Sequence, residues 1–95
     1  MPSRRGGTPK ATHGPGALPN LGPVSARWLA GAGITTVEEL RRVGAVTAYG
    51  MVALREGRAA TANLLYALHA ALEGKHWTAV TAAEKRRLRR EAGLE

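Results

Sequence analysis

Apolar residues recur at helical spacing through most of the chain after residue 17. The clearest stripe predicts a helix over 61–73, which ends at Gly74 and has an apolar face formed by Leu64, Leu65, Leu68 and Leu72. A second stripe predicts a helix from 45 to about 55, with Val46, Tyr49, Val52 and Ala53 near one face. No stretch of alternating β-branched residues indicates a strand.

Capping residues place the other three predicted helices. Thr36 and Glu39 have the spacing of a capping box, which predicts a short helix over 37–43. Thr81 and Glu84 repeat that spacing before a last helix that runs through residue 90. Pro23 suits the first turn of a helix that stops near residue 31. We therefore predict an all-α fold with five short helices.

The first 17 residues have a different composition. They are rich in Gly and Pro, carry the cations Arg4, Arg5 and Lys10, and contain no acidic side chain. Such a segment buries too little apolar surface to offset its chain entropy. We expect a disordered basic tail over 1–17 and one helical domain over 18–95.

The turn that leads into the first helix is a candidate phosphate site. A Gly-containing turn that enters a helix leaves backbone N–H groups unpaired, with the positive end of the helix dipole behind them. Such a helix start binds phosphate when it is exposed. Gly22 would contribute its backbone N–H and Ser25 its hydroxyl. The alternative is a turn that only caps the first helix.

Positive charge makes an anionic partner more plausible. The net charge is +7, from 14 Lys and Arg against 7 Asp and Glu. On the last helix, Leu88 lies opposite a basic ridge, which falls within about 140° of arc and consists of Lys85, Arg86, Arg89 and Arg90. The ridge suits phosphates, with an affinity that falls as salt rises. Alternatively, these cations only complement the helix dipole and keep the protein soluble. Arg41 and Arg42 are expected on a solvated face.

Stacking of bases on aromatic side chains has weaker support. Four aromatic residues are present, and each is expected in the core or covering it: Trp28, Tyr49, Tyr66 and Trp77. Arg27 beside Trp28 is the single arrangement that favours a stacking role.

Several function classes are not supported. The chain has no cysteine, which excludes thiolate chemistry. It has no aspartate either, and its glutamates show no convergent pair, so we expect no enzyme and no small-molecule substrate. His69 and His76 have no common ligand spacing, so we expect no metal or other cofactor. No apolar run is long enough to cross a bilayer, and residues 1–16 lack a secretory apolar region. We expect a cytoplasmic protein that binds no membrane.

Two known helical domains share features with this chain. Asn20, Leu21, Gly22, Ser25 and Leu29, followed by 33–36 and Leu40, resemble a helix-hairpin-helix element and the C-terminal domain of the bacterial RNA polymerase alpha subunit. That resemblance implies DNA backbone contacts at Gly22 and Ser25. In this chain Pro23 and Val24 stand where the polymerase domain has lysines.

A longer resemblance is to the C-terminal domain of the TfoX/Sxy family, which is associated with bacterial competence. The matching segments run in order from 18 to 77 and include 18–23, 28–29, 44–46, 63–68, 71–74 and 76–77. The resemblance implies a helix-hairpin-helix or SAM-like helical bundle, a role near DNA uptake or its regulation, and no catalytic residue. Many family members carry an α/β domain ahead of this one, whereas this chain offers only the basic tail.

Two functional hypotheses follow. The first is a nucleic-acid-binding module that contacts DNA backbone without base-specific readout, through Gly22, Ser25, Arg27, Lys85, Arg86, Arg89 and Arg90. The second is a SAM-like protein-interaction domain whose basic ridge docks on an acidic protein partner.

Overall fold

The computed structural model describes residues 20–94, which form five α-helices. They are α1 (Pro23–Gly31), α2 (Val37–Val43), α3 (Ala45–Glu56), α4 (Ala62–Glu73) and α5 (Ala82–Glu91). Short 3-10 turns at Gly57–Ala59 and Trp77–Ala79 precede α4 and α5, and no strand occurs in 20–94. The prediction of an all-α fold with five helices is confirmed. The predicted tail and its boundary at residue 18 lie outside the described residues and stay predictions.

Both predicted capping boxes form. At α2, the Thr36 hydroxyl accepts from the Glu39 amide at 3.1 Å, and the Glu39 carboxylate accepts from the Thr36 amide at 3.1 Å. At α5, the Glu84 carboxylate accepts from the Thr81 amide at 2.8 Å, and the Thr81 hydroxyl accepts from the Glu84 amide at 3.1 Å. Each box therefore pairs two amides that a helix start otherwise leaves unpaired.

The core lies around α3 and α4. α3 packs against α1, α2 and α4. α4 also contacts α5 and the 3-10 turn that precedes α5. Leu65 and Leu68 of α4 are fully buried, Leu64 is buried and Leu72 is half-buried, so the predicted leucine stripe faces the core. α4 also buries a second side, which includes Tyr66, because it lies between α3 and α5.

One buried leucine anchors each of the two regions that form the site, α5 and the turn before α1. Leu88 of α5 is buried, as predicted, and Arg86 and Arg90 of the same helix are exposed. Leu21 is buried immediately before α1, so the turn that enters α1 is anchored to the core. Among the helices of 20–94, none has both the length and the apolar character needed to cross a membrane.

Candidate nucleic-acid interface

The start of α1 has no side-chain cap. Gly22 is the N-cap residue, and Pro23 at the first helical position has no N–H to donate. The first hydrogen bond of the helix runs from the Ala26 amide to the Gly22 carbonyl at 2.9 Å. No described residue accepts from the amides of Val24 and Ser25, and the first turn contains no acidic residue. The positive end of the α1 dipole is therefore not compensated within 20–94.

The backbone at Gly22 is open on its outer side. A Cβ atom built at this position would meet no heavy atom within 4 Å. Its φ of −116° is accessible to any residue, so neither backbone conformation nor packing requires glycine there. Glycine at this place allows a ligand to approach the helix start closely.

Asn20 fixes the beginning of the turn. It adopts a left-handed backbone conformation with a φ of 72°. Its side-chain amide donates to the carbonyl of Lys75 at 2.8 Å, and its Oδ1 accepts from the amide of Trp77 at 3.0 Å. The turn is thus held against the segment between α4 and α5. It is not covered by that segment, because Pro23 is exposed and Val24 is 50% exposed.

The predicted basic ridge on α5 is divided into two pairs. Arg86 and Arg90 are exposed. Lys85 and Arg89 lean on Tyr66 instead: the Lys85 ammonium lies 5.3 Å from the ring centroid, and an Arg89 guanidinium nitrogen donates to the hydroxyl at 2.8 Å. Two of the four predicted residues therefore point to solvent, and two also anchor α5 on α4.

The turn before α1 and the first half of α5 lie on one surface. A cavity of about 330 Å³ is lined by Asn20, Asn63, Tyr66, Ala67, Trp77 and Lys85. Gly22 follows Asn20 by two residues, within about 8 Å along the chain. Arg27 is exposed one turn into α1. The cavity is therefore lined by one cation of α5, Lys85, and by Asn20, which precedes the N-cap residue of α1 by two residues.

Comparison with known proteins agrees with the resemblance found in the sequence. Residues 16–92 match the model of the TfoX C-terminal domain. The chain belongs to the TfoX C-terminal domain family. No protein with a curated description matches it significantly.

Two crystal structures from Listeria monocytogenes are similar to this TfoX C-terminal domain. One, described as an uncharacterized protein, is 34% identical with a TM-score of 0.73, and the match covers 78% of this chain and 83% of that one. The other, described as a protein of unknown function, is 33% identical with a TM-score of 0.76, and the match covers 84% of this chain and 99% of that one.

The aromatic residues of this TfoX C-terminal domain differ in part from the expectation. Tyr49 and Tyr66 are buried, and Trp28 is half-buried against the core, as expected. Trp77 is 51% exposed, so the prediction that it covers the core was wrong. Its amide is held by Asn20 while its indole faces the cavity and solvent. The aromatic side chain available for stacking is therefore Trp77 rather than Trp28.

A polar cluster joins α4, the following loop and α5, and the sequence did not indicate it. The Glu84 carboxylate accepts from the Lys75 ammonium at 2.9 and 3.1 Å and lies 3.4 Å from His69 Nε2. These contacts and the Thr81 amide lower the pKa of Glu84 from 4.5 to about 2, with the Thr81 amide the largest cause. The cluster is structural in character, because it holds α5 in place against α4.

Glu73 completes a convergence of acidic groups that sequence spacing did not reveal. Potential ligand atoms of His69, Glu73 and Glu84 all lie within 4.8 Å of one another. The Lys75 ammonium lies among them, 3.9 Å from the Glu73 carboxylate, and supplies positive charge there. His76 faces elsewhere, and its Nδ1 accepts from the Thr78 amide at 3.2 Å.

Proposed function

We propose that this chain is a non-catalytic module that binds duplex DNA through its phosphate backbone. A phosphate would lie at the open start of α1, where Gly22, Val24 and Ser25 present their amides, and cations of α1 and α5 would add non-specific attraction. The family is one of regulatory and binding domains rather than a known enzyme family, which supports a non-catalytic role. The role in bacterial competence that the resemblance implies, and the cytoplasmic location expected from the sequence, form part of the proposal.

The uncapped and open start of α1 carries this proposal. Three features coincide there: amides at Val24 and Ser25 that no residue of 20–94 accepts from, a glycine with free space above it, and no acidic residue in the first turn. Together they favour an anion over any other ligand, because the helix dipole and the amide hydrogens attract negative charge. The Ser25 hydroxyl adds one further donor at this place.

Cations close to the same surface extend the site. Arg27, Arg86 and Arg90 are exposed. Glu91, the acidic residue at the end of α5, forms its ion pair with Arg87 at 3.8 Å and not with Arg86 or Arg90. Lys85 lies over the Tyr66 ring and lines the cavity, and Arg89 adds a second positive charge at the Tyr66 hydroxyl. Such cations raise affinity for any sequence, since phosphate contacts carry no base information.

The experiment is fluorescence anisotropy of a labelled duplex with the full chain at about 50 and 200 mM salt. We expect binding at the lower salt and a marked loss at the higher salt. Replacing Arg86 and Arg90 by Gln should lower the slope of log affinity against log salt by about 2, since each lost phosphate contact removes about one unit.

The matched control replaces Arg41 and Arg42 by Gln, because this exposed pair lies at the end of α2. We expect it to change the slope by less than half as much. Absence of duplex binding at about 50 mM salt would overturn the proposal, and an equal loss in both double variants would contradict the location of the site.

A second candidate function is docking of an acidic protein. The observation that favours it is the exposed pair Arg86 and Arg90 on α5, because an acidic protein surface would complement their charge. This function predicts a complex that survives nuclease treatment and that charge reversal at Arg86 and Arg90 abolishes. Release of the bound material by nuclease would exclude it in favour of nucleic acid.

A further inference from the structure

The cavity between α4, Trp77 and α5 has the components of a base-binding site. We propose that it holds one unstacked nucleobase of a single-stranded nucleic acid, stacked on Trp77, with the adjoining phosphate at Lys85. This inference rests on the proposed function and names a second ligand form, the single strand, for the same surface. At about 330 Å³ the cavity lies at the small end of ligand pockets, which suits one nucleotide unit.

Trp77 provides the stacking surface. Trp77 is 51% exposed, although a tryptophan gains most from burial. Its backbone is fixed, because the amide donates to Asn20 Oδ1 at 3.0 Å, and the His76 ring lies beside it at 5.7 Å between centroids. An exposed ring on a fixed backbone provides a platform on which any base can stack, since every base has a π face.

Lys85 provides the positive charge at the cavity wall. Its ammonium lies above the Tyr66 ring, and no described carboxylate forms an ion pair with it. The hydroxyl of Tyr66 accepts from Arg89, so the ring is held in place under the ammonium. The nearest acidic neighbour in sequence, Glu84, is engaged by Lys75. The charge of Lys85 is therefore available to an anionic ligand.

Asn63 provides polar groups for the edge of a base. It is exposed at the first turn of α4, and within 20–94 its amide forms no hydrogen bond to another residue. The other side-chain amide at the cavity, that of Asn20, already donates to the Lys75 carbonyl and accepts from the Trp77 backbone amide. An asparagine amide both donates and accepts, so Asn63 fits the hydrogen-bonding edge of a base without selecting one base.

The charge of the lining favours a nucleotide over a peptide. Among the described residues that line the cavity, the single charged group is a cation and none is a carboxylate. A flat aromatic wall next to one cation matches a planar ring that carries a phosphate. A base inside a duplex is stacked on both faces and does not reach such a cavity, so the ligand is a single strand or an unpaired end.

The experiment compares oligothymidylate with a duplex of equal length, using the full chain at about 50 mM salt. Trp77→Ala should weaken single-strand binding about tenfold or more, because stacking of one base is worth about that factor. Duplex affinity should change less than about twofold. Trp77→Phe should keep most of the single-strand affinity, and single-strand binding should quench the fluorescence of Trp77 in the parent protein.

Each outcome decides between the two proposals. If neither nucleic acid binds the parent protein, the proposed function fails, and this inference fails with it. If the duplex binds but Trp77→Ala leaves single-strand affinity unchanged, or lowers both affinities equally, this inference alone is overturned. Trp77 is 51% exposed, and the hydrogen bond from its backbone amide to Asn20 does not need the indole, so we expect Trp77→Ala to stay folded with a modest decrease in the urea midpoint.

Discussion

The starts of α1 and α5 are built in opposite ways. At α5, Thr81 and Glu84 form a capping box, and the Glu84 carboxylate also binds Lys75 and lies beside His69. At α1, Gly22 offers no side chain and no acid lies in the first turn. α2 is closed in the same manner as α5, by Thr36 and Glu39. The chain caps these two helix starts with its own acids, whereas α1, like α3 and α4, begins without a side-chain cap and without an acid in its first turn. The proposed phosphate site lies at the first of these uncapped starts.

Asn20 connects these two regions, and its loss should give the largest change in stability. Asn20→Ala removes the hydrogen bonds to the Lys75 carbonyl and from the Trp77 amide and places alanine at a φ of 72°. We expect a loss of about 2 kcal/mol or more in the free energy of unfolding, measured by urea denaturation. Asn20→Gly is the control, because it loses both bonds without the left-handed strain. An unchanged urea midpoint for Asn20→Ala would contradict the anchoring role.

Replacing Gly22 makes the start of α1 resemble that of α5. Gly22→Asp adds a capping carboxylate, which repels phosphate and uses the free amides. We expect duplex affinity to fall about tenfold or more, since hydrogen bonds to a charged group are worth about 1.5–3 kcal/mol. Stability should be kept or rise, because Asp is a favoured N-cap residue and the space at Gly22 is open.

The control for that variant is Gly22→Asn, which has the same shape without the charge. We expect it to lower duplex affinity less than Gly22→Asp does at about 50 mM salt. Equal affinities for Gly22→Asp and the parent protein would show that no phosphate lies at this helix start.

Removing the cap at the start of α5 should lower the free energy of unfolding and leave the affinity for duplex DNA unchanged. Thr81→Ala removes the hydroxyl that accepts from the Glu84 amide at 3.1 Å. We expect the free energy of unfolding to fall by about 1 kcal/mol, the usual value of an N-cap side chain. Duplex affinity should stay within about twofold of the parent value. If the free energy of duplex binding fell by more than the free energy of unfolding, the phosphate would lie at the start of α5 instead.

The sequence predicted the parts of the molecule that depend on near neighbours. The helices follow from apolar spacing at Leu64, Leu65 and Leu68, and the two boxes follow from residues three apart. Contacts between distant residues gave no such pattern. The bonds of Asn20 span 55 and 57 residues and hold the backbone of the segment that carries Trp77. Trp77 itself is exposed, whereas sequence reasoning had placed it over the core.

The cavity and the cluster around Glu84 were missed for the same reason. Lys85 meets Tyr66 because α5 crosses α4, and a helical wheel of α5 alone shows only that Lys85 lies on its polar side. Glu73 and Glu84 converge through the loop between α4 and α5. The start of α1, in contrast, was indicated in the sequence by a Gly-containing turn that leads directly into a helix at Pro23.

Acid should lower the free energy of unfolding by protonating Glu84, which caps the start of α5. The folded protein holds the pKa of Glu84 at about 2, against an ordinary value of 4.5, so the unfolded chain takes up the proton first. The contribution of Glu84 to stability is therefore complete above about pH 5 and decreases as pH falls from 4.5 towards 2. Urea midpoints should show this decrease.

Glu84→Gln should give a shallower decrease over the same pH range. The remainder would include Glu39, whose pKa is also lowered, chiefly by the Thr35 amide. The same slope in both proteins would contradict the assignment to Glu84.

The most direct measurement is a titration of the ¹⁵N-labelled full chain with duplex DNA at about 50 mM salt, followed by amide chemical shifts. The account predicts that the amides of Val24 and Ser25 shift most, with saturation, while the capped amides at the start of α2 stay in place. Duplex binding that saturates without moving Val24 or Ser25 would contradict the claim that the open start of α1 holds the phosphate.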